Sequence, residues 1–300
     1  MHARPFLAAA LAALAAGTAA SAPTPAPAPD RVALAELHGY AQGLADAKQF
    51  SGVVLVAHNG EVLFERAYGN IDPGDTRDDA ARITPGTRFN IASAGKMFTA
   101  VAVLQQVAAG RLTLDTPVGE VLRDYPNATF ARTVTVRHLL THMAGAGDID
   151  LFGIDKAGLR ARATTVAQMV ALHGDRAPAF APGSEQAYGN FGHVVLGRMV
   201  EVLSGEAFEA YLQRHVFEPA GMTHTSFTRC DDPAPDLAVG YALVDGKEVR
   251  NCLTQPVRGF PAGGQVSTAR DMYAFVKALQ AGTLLPPALF AEATRTHHLF

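Results

Sequence analysis

The sequence predicts an α+β fold: a mostly antiparallel sheet contributed by the start and end of the chain, helices flanking it, and a helical subdomain over about 111–225. Three observations carry that expectation. Asn59-Gly60 and Asp245-Gly246 each separate two β-rich runs, one pair toward either end; such dipeptides are the strongest short-range hairpin signal. Between them, apolar residues recur at helical spacing and are broken by Gly and Pro. Within this pattern, the run from Phe89 to Gly110 is apolar on nearly every face, with Lys96 the only charge between Arg88 and Arg111. That composition marks a buried helix rather than a surface one.

Taken in order, the chain opens with His2 and Arg4 before an Ala/Leu-rich run over 6–20. Ala20-Ser21-Ala22 then has the A-x-A pattern of a signal-peptidase site. The run is short for a bilayer span, and no cysteine follows it to take a lipid. Residues 1–22 are read as a cleaved export signal, with an uncleaved anchor as the alternative, and 23–29 as an extended Pro/Ala spacer. The folded domain is expected over 30–300, in a periplasmic or secreted protein without a stable membrane anchor. Asp30 can cap a helix over 31–48. The runs 52–58 and 61–68 form the first hairpin, 72–79 is a solvated acidic loop, and Thr84-Pro85-Gly86 turns the chain toward Ser93.

Beyond Gly110 the pattern predicts helices with many loops: 118–125, 135–142, 165–173, a long helix over 191–203, and 208–216. Strand character returns in 237–244 and 248–253. Ser267-Thr-Ala-Arg-Asp271 resembles a capping box with an Asp variant, opening a helix to about 281. Cys230 and Cys252 flank the second hairpin, and an oxidising compartment permits a disulfide between them. Two unpaired thiols are the other reading, because sequence does not supply the Cα separation.

Composition narrows the function. A hydrophobic fraction of 48% suffices for one large core or two lobes, and mixed charge with a net of −3 points away from nucleic acid. There is no C-x-x-C, H-E-x-x-H or G-x-G-x-x-G, so neither a metal nor a dinucleotide cofactor is expected. His138 and His142 have a spacing that could ligate a metal. Lacking a third ligand, they read as a packing histidine and a helix-end histidine.

Ser93 and Lys96 lie three apart at the start of the buried helix, on one face. An amine there can take the hydroxyl proton, helped by desolvation and the positive helix end, while first-turn N–H groups can face an oxyanion. An N-cap serine beside a snorkelling lysine is the plain alternative.

Several segments decide between these readings. Thr84-Pro-Gly-Thr-Arg-Phe-Asn-Ile-Ala-Ser93-Ala-Gly-Lys96, Leu112-Thr-Leu-Asp115, Val136-Arg-His-Leu-Leu-Thr-His142, Phe180-Ala-Pro-Gly183, Tyr188-Gly-Asn190 and Gly263-Gly-Gln-Val-Ser-Thr-Ala-Arg-Asp271 occur in one order across 30–290. Together they resemble the β-lactamase-related serine hydrolases, the group of class C β-lactamases, DD-peptidases and esterases. The resemblance implies the serine β-lactamase/penicillin-binding-protein-like fold, with the Ser93 helix between lobes, and a cofactor-free acyl-enzyme mechanism on a small-molecule or peptide substrate. Ser93 would be the acylated nucleophile, and Lys96 would hold a proton or take it from Ser93. Tyr188 would shuttle the proton and activate water, which requires nearby cations to lower its pKa. Asn190 would orient Lys96 or a substrate amide.

The family's third element, K-T-G or H-x-G on a late strand, has no match after Tyr188. The C-terminal strands and closing helix are therefore expected to be missing, which would expose a pairing edge and leave the chain inactive or poorly folded; the other reading builds that wall differently. Gly189 and the absent motif argue against a β-lactamase and toward an esterase or peptidase. The competing class is a non-catalytic exported domain that binds cell-wall peptide ligands.

Overall fold

The computed structural model describes residues 30–297 apart from 76, 78, 150, 154–156 and 233. The expected export signal and spacer, 1–29, lie outside the described residues. None of the described helices is long and apolar enough to cross a membrane.

Helix α1, Arg31–Asp46, is capped by Asp30, whose carboxylate accepts from the Ala33 N–H. Strands β1, Gly52–His58, and β2, Glu61–Tyr68, pair antiparallel. Asn59 and Gly60 both take positive φ, 48° and 85°, the type I′ turn whose twist suits a two-residue hairpin. At the other end, β4, Tyr241–Val244, pairs with β5, Lys247–Arg250, across Asp245 and Gly246 at φ 49° and 76°.

The two ends meet where β3, Phe89–Asn90, pairs antiparallel with β6, Val266–Ser267. Among the described residues the sheet is thus three two-stranded antiparallel ladders rather than one continuous layer. Arg88 reinforces the junction. Its guanidinium donates to both Asp236 oxygens at 2.7 and 2.8 Å and to Thr228 Oγ1 at 3.0 Å.

Following β3, residues Ala92–Gly95 form a one-turn 3-10 helix that leads into α2, Lys96–Ala108. The expected single helix is therefore two pieces, and Ser93 lies in the tighter one. The shorter helices that follow are α3, Val118–Val121; α4, Ala128–Thr133; α5, Val136–Leu140; α6, Ala157–Arg162; and α7, Val166–His173. Then come α8, Phe191–Ser204, and α9, Phe208–Leu212. Helix α2 packs on α8. Phe98 of α2 sits edge-on to Phe217 and Phe275 at 5.1 and 4.9 Å between ring centres.

The expected helix over 208–216 stops at Leu212 and widens into a π-type turn, Gln213–Phe217, before the short α10, Glu218–Ala220. Pro219 lacks the N–H that would continue the ladder, and the freed His215 carbonyl accepts from Gln105 Nε2 at 2.9 Å instead. Helix α11, Ala269–Gln280, begins at Thr268, whose hydroxyl accepts from the Asp271 N–H. The expected reciprocal half of that capping box is diverted: Asp271 Oδ2 accepts from the His224 N–H and the Thr225 hydroxyl, at 2.7 and 2.8 Å. The last described helix is α12, Pro287–Thr294. Cys230 and Cys252 are joined in a disulfide with Cα atoms 5.6 Å apart, so the bridge is the reading that holds.

Candidate active site

The turn that presents Ser93 is held in an uncommon conformation. Ala92 has φ 46°, the left-handed region that costs an L-residue about 1–2 kcal/mol. Both of its backbone groups are pinned: its N–H donates to Asn90 Oδ1 at 2.8 Å, and its carbonyl accepts from the Gly264 N–H at 2.9 Å. The result is an exposed Ser93 beside a buried Lys96.

Lys96 Nζ donates to three acceptors drawn from distant parts of the chain. They are Ser93 Oγ at 3.1 Å, Asn190 Oδ1 at 2.7 Å and the Ala262 carbonyl at 2.7 Å. Three acceptors match the three donors of an ammonium group, so a charge that is only 7% exposed is fully partnered. The Ala262 carbonyl is available because the segment before Gly263 lies flat on α2, where Pro261 also accepts from Thr99 Oγ1 at 2.6 Å. Gly263 takes φ 130°, and a Cβ there would collide with the Ala92 carbonyl.

From the other side, the Tyr188 hydroxyl donates to Ser93 Oγ at 2.6 Å, and Lys96 Nζ stands 4.8 Å from the centre of the Tyr188 ring. Asn190 is oriented by Asp148. One carboxylate oxygen, Oδ1, accepts from Asn190 Nδ2 at 2.8 Å and from the Asn190 N–H at 3.3 Å, which turns the amide oxygen toward Lys96. A Cβ at residue 189 would collide with the Gly147 carbonyl, which accounts for glycine between Tyr188 and Asn190. All four residues singled out by the sequence thus meet in one hydrogen-bonded cluster.

The structure adds partners that the sequence did not offer. Asp148 and the Ala262 carbonyl carry no local signal, since each meets the site only through long-range packing. His142, expected as a helix-end residue, instead packs its ring 4.7 Å from the Tyr188 ring and 5.1 Å from that of His193. Burial, reinforced by the Lys96 charge, holds His142 below the usual imidazole range, although a hydrogen bond with the Gly189 backbone acts the other way. Deep burial, helped by His142 and Lys96, pushes His193 down to about 3. His138, expected as a packing histidine, is half-buried and serves as a cap instead: its ring nitrogen accepts from the Thr135 N–H at 3.3 Å at the start of α5. A groove is lined by Asn90, Gly264 and Val266 together with Tyr241, Asn251 and Cys252.

Comparison with known proteins identifies the family. A family model described as Beta-lactamase matches residues 37–299. The chain is 31% identical to PbpX of Bacillus subtilis (strain 168) over 236 residues, which is 78% of this chain and 56% of that relative's length. It is 30% identical to esterase EstB of Burkholderia gladioli over 290 residues, 85% of this chain and 72% of the relative. A penicillin binding protein from Bacillus halodurans has a related structure, with TM-score 0.74 and 30% identity over 86% of this chain and 77% of that one. A match of this extent, on an α+β scaffold of the same architecture, means that the chain belongs to the beta-lactamase family.

Proposed function

We propose that this protein is a serine hydrolase that cleaves an ester or amide through an acyl-enzyme on Ser93, without a cofactor. A carboxylic ester is the preferred substrate class, with a D-amino-acid peptide next and a β-lactam last. One observation carries the reading: a single exposed hydroxyl oxygen meets the Lys96 amine at 3.1 Å and the Tyr188 phenol at 2.6 Å. Two proton-handling groups on one nucleophile is the arrangement that nucleophilic catalysis needs. The likeness to a protein named as an esterase supports the ester.

In this reading the Lys96–Tyr188 pair has given up one proton to solvent before attack, and Ser93 Oγ attacks the substrate carbonyl carbon as its own proton passes to the vacated position on that pair. The carbonyl electron pair moves to oxygen, where N–H groups of the turn before α2 would receive it. Collapse breaks the bond to the leaving oxygen or nitrogen, which takes the proton from Tyr188. Water then attacks the acyl-enzyme, gives its proton to the same pair, and Ser93 departs with its hydroxyl restored. Asn190 holds Lys96 in line throughout. The substrate approaches along the groove that passes Asn90 and Gly264.

The protein would act after export, with cleavage behind Ala22. N-terminal sequencing of the chain recovered from an expressing bacterium should begin at Pro23; an intact leader would overturn that part.

An active-site-directed fluorophosphonate tests the activity. The wild-type chain should be labelled at Ser93, Ser93→Ala should take no label, and Lys96→Ala should label at least about a hundredfold more slowly, the scale expected for loss of a proton-transfer partner. A folded wild-type chain that takes no label overturns the hydrolase reading and leaves the non-catalytic peptide binder in its place.

A further inference from the structure

Tyr188 poses a mechanical problem. It lies outside any helix or strand and its residue is 61% exposed, yet its hydroxyl must meet Ser93 Oγ to within a few tenths of an ångström. Lost alignment of a proton-transfer group is expensive, because small displacements reduce rates by orders of magnitude. Something other than secondary structure must fix the phenol.

The segment just after α5 does so, and His142 is its centre. The His142 carbonyl accepts from the Ala187 N–H at 2.9 Å, one residue before Tyr188. Its ring lies against the Tyr188 ring itself, with centres 4.7 Å apart and planes at 35°. His142 therefore grips the tyrosine from before and on its face. The neighbouring residues extend the grip: Gln186 Nε2 donates to the Thr141 carbonyl at 3.0 Å, and the Met143 carbonyl accepts from the Gly183 N–H at 2.9 Å. Behind it, His193 of α8 backs the imidazole at 5.1 Å.

The backbone at this point is itself held off its ordinary conformation. His142 has φ 59°, a left-handed value for a residue other than glycine. Strain of this kind persists where surrounding structure over-determines it, and it clusters at functional sites. Here it turns the ring back toward Tyr188 rather than along the course of α5. Gly or Asn would adopt this conformation with less strain, but neither supplies a ring.

We infer that His142 is a positioning residue for the reaction: its ring and carbonyl together hold the Tyr188 phenol over Ser93 Oγ. The inference rests on the hydrolase reading above, and it assigns His142 no contact with the reacting atoms.

The test measures the second-order rate of fluorophosphonate labelling, with kcat and KM for p-nitrophenyl butyrate alongside. His142→Asn suits the backbone, since Asn tolerates positive φ, and removes the ring. His142→Phe keeps a ring on Tyr188 together with the backbone carbonyl that holds Ala187. Because His142 acts through Tyr188, His142→Asn should lower the labelling rate and kcat about tenfold while KM stays within about twofold. In a Tyr188→Phe background the same substitution should change labelling by less than about twofold, the non-additivity expected of residues in one chain of contacts. His142→Phe should recover at least about threefold over His142→Asn.

An equal fractional loss in both backgrounds, as general destabilisation gives, overturns the inference. So does His142→Asn labelling at the wild-type rate. Should Tyr188→Phe leave no measurable labelling, equal rates for His142→Phe and His142→Asn overturn it. Should His142→Asn melt below the assay temperature, His142→Gly, which also suits the positive φ and lacks the ring, labelling and turning over at the wild-type rate overturns it. An unlabelled but folded wild-type chain is the separate outcome that removes the hydrolase reading itself, and this inference with it.

Discussion

Three donors on one side chain decide how Lys96 sits, and each of its acceptors carries a different lesson. Ser93 Oγ, three residues away, was legible from spacing alone. Asn190 was legible only through the order of motifs along the chain. The Ala262 carbonyl was not legible, because a main-chain oxygen 166 residues away has no side-chain signature in sequence. Asp148, which aims the Asn190 amide, was hidden for the same reason. His193 makes a prediction at this scale. Its Nδ1 is buried with no hydrogen-bond partner among the described residues, and burial pushes it down to about 3. In the unfolded chain the imidazole titrates near its ordinary value of about 6.5. Between those values the unfolded state binds the extra proton, so stability falls as pH drops from about 6.5 toward 3, by up to a few kcal/mol. His142, shifted in the same direction, contributes within the same window. Urea midpoints should therefore drop between pH 7.5 and 5 for the wild type, and His193→Phe should shrink that drop. Parallel losses in both proteins would contradict the assignment.

At the level of elements, local signals located the elements and tertiary contacts adjusted their ends. The two hairpins and α1 follow from Asn-Gly, Asp-Gly and an Asp cap, each of which acts within a few residues. The 3-10 turn at Ser93, the π-type turn after Leu212 and the diverted Asp271 were not legible, because each answers to a partner far along the chain: Gly264, Gln105 and Thr225. The segment over 261–264 shows how such contacts build a site. Pro261 and Ala262 give their carbonyls to α2, and Gly263 lets the backbone approach Ala92. Gly263→Ala should force that segment away from α2. The expected loss is about 1–3 kcal/mol of stability in a denaturant titration, with a larger proportional loss of fluorophosphonate labelling because Lys96 loses its third acceptor. Labelling at the wild-type rate would contradict the packing described.

For the molecule as a whole, one covalent tie staples the segment that carries β4 and β5. The disulfide closes a segment with a sequence separation of 22, which in the chain-entropy description corresponds to about 3 kcal/mol. The double variant Cys230→Ala/Cys252→Ala should lower the denaturation midpoint accordingly, and reductant should lower the wild type toward the variant while leaving the variant unchanged. Equal midpoints in the absence of reductant would contradict the bridge's role. The family was legible at this scale because its motifs recur in order, although no single one is diagnostic. The central claim is that a hydroxyl, an amine and a phenol meet for covalent chemistry, and trapping the intermediate tests it most directly. Mixing the chain with p-nitrophenyl butyrate and quenching in acid should give a mass increase of one butyryl group on the tryptic peptide spanning 89–96, with one equivalent of nitrophenol released in a burst. Nitrophenol release with no adduct, or an adduct on another peptide, would contradict the account.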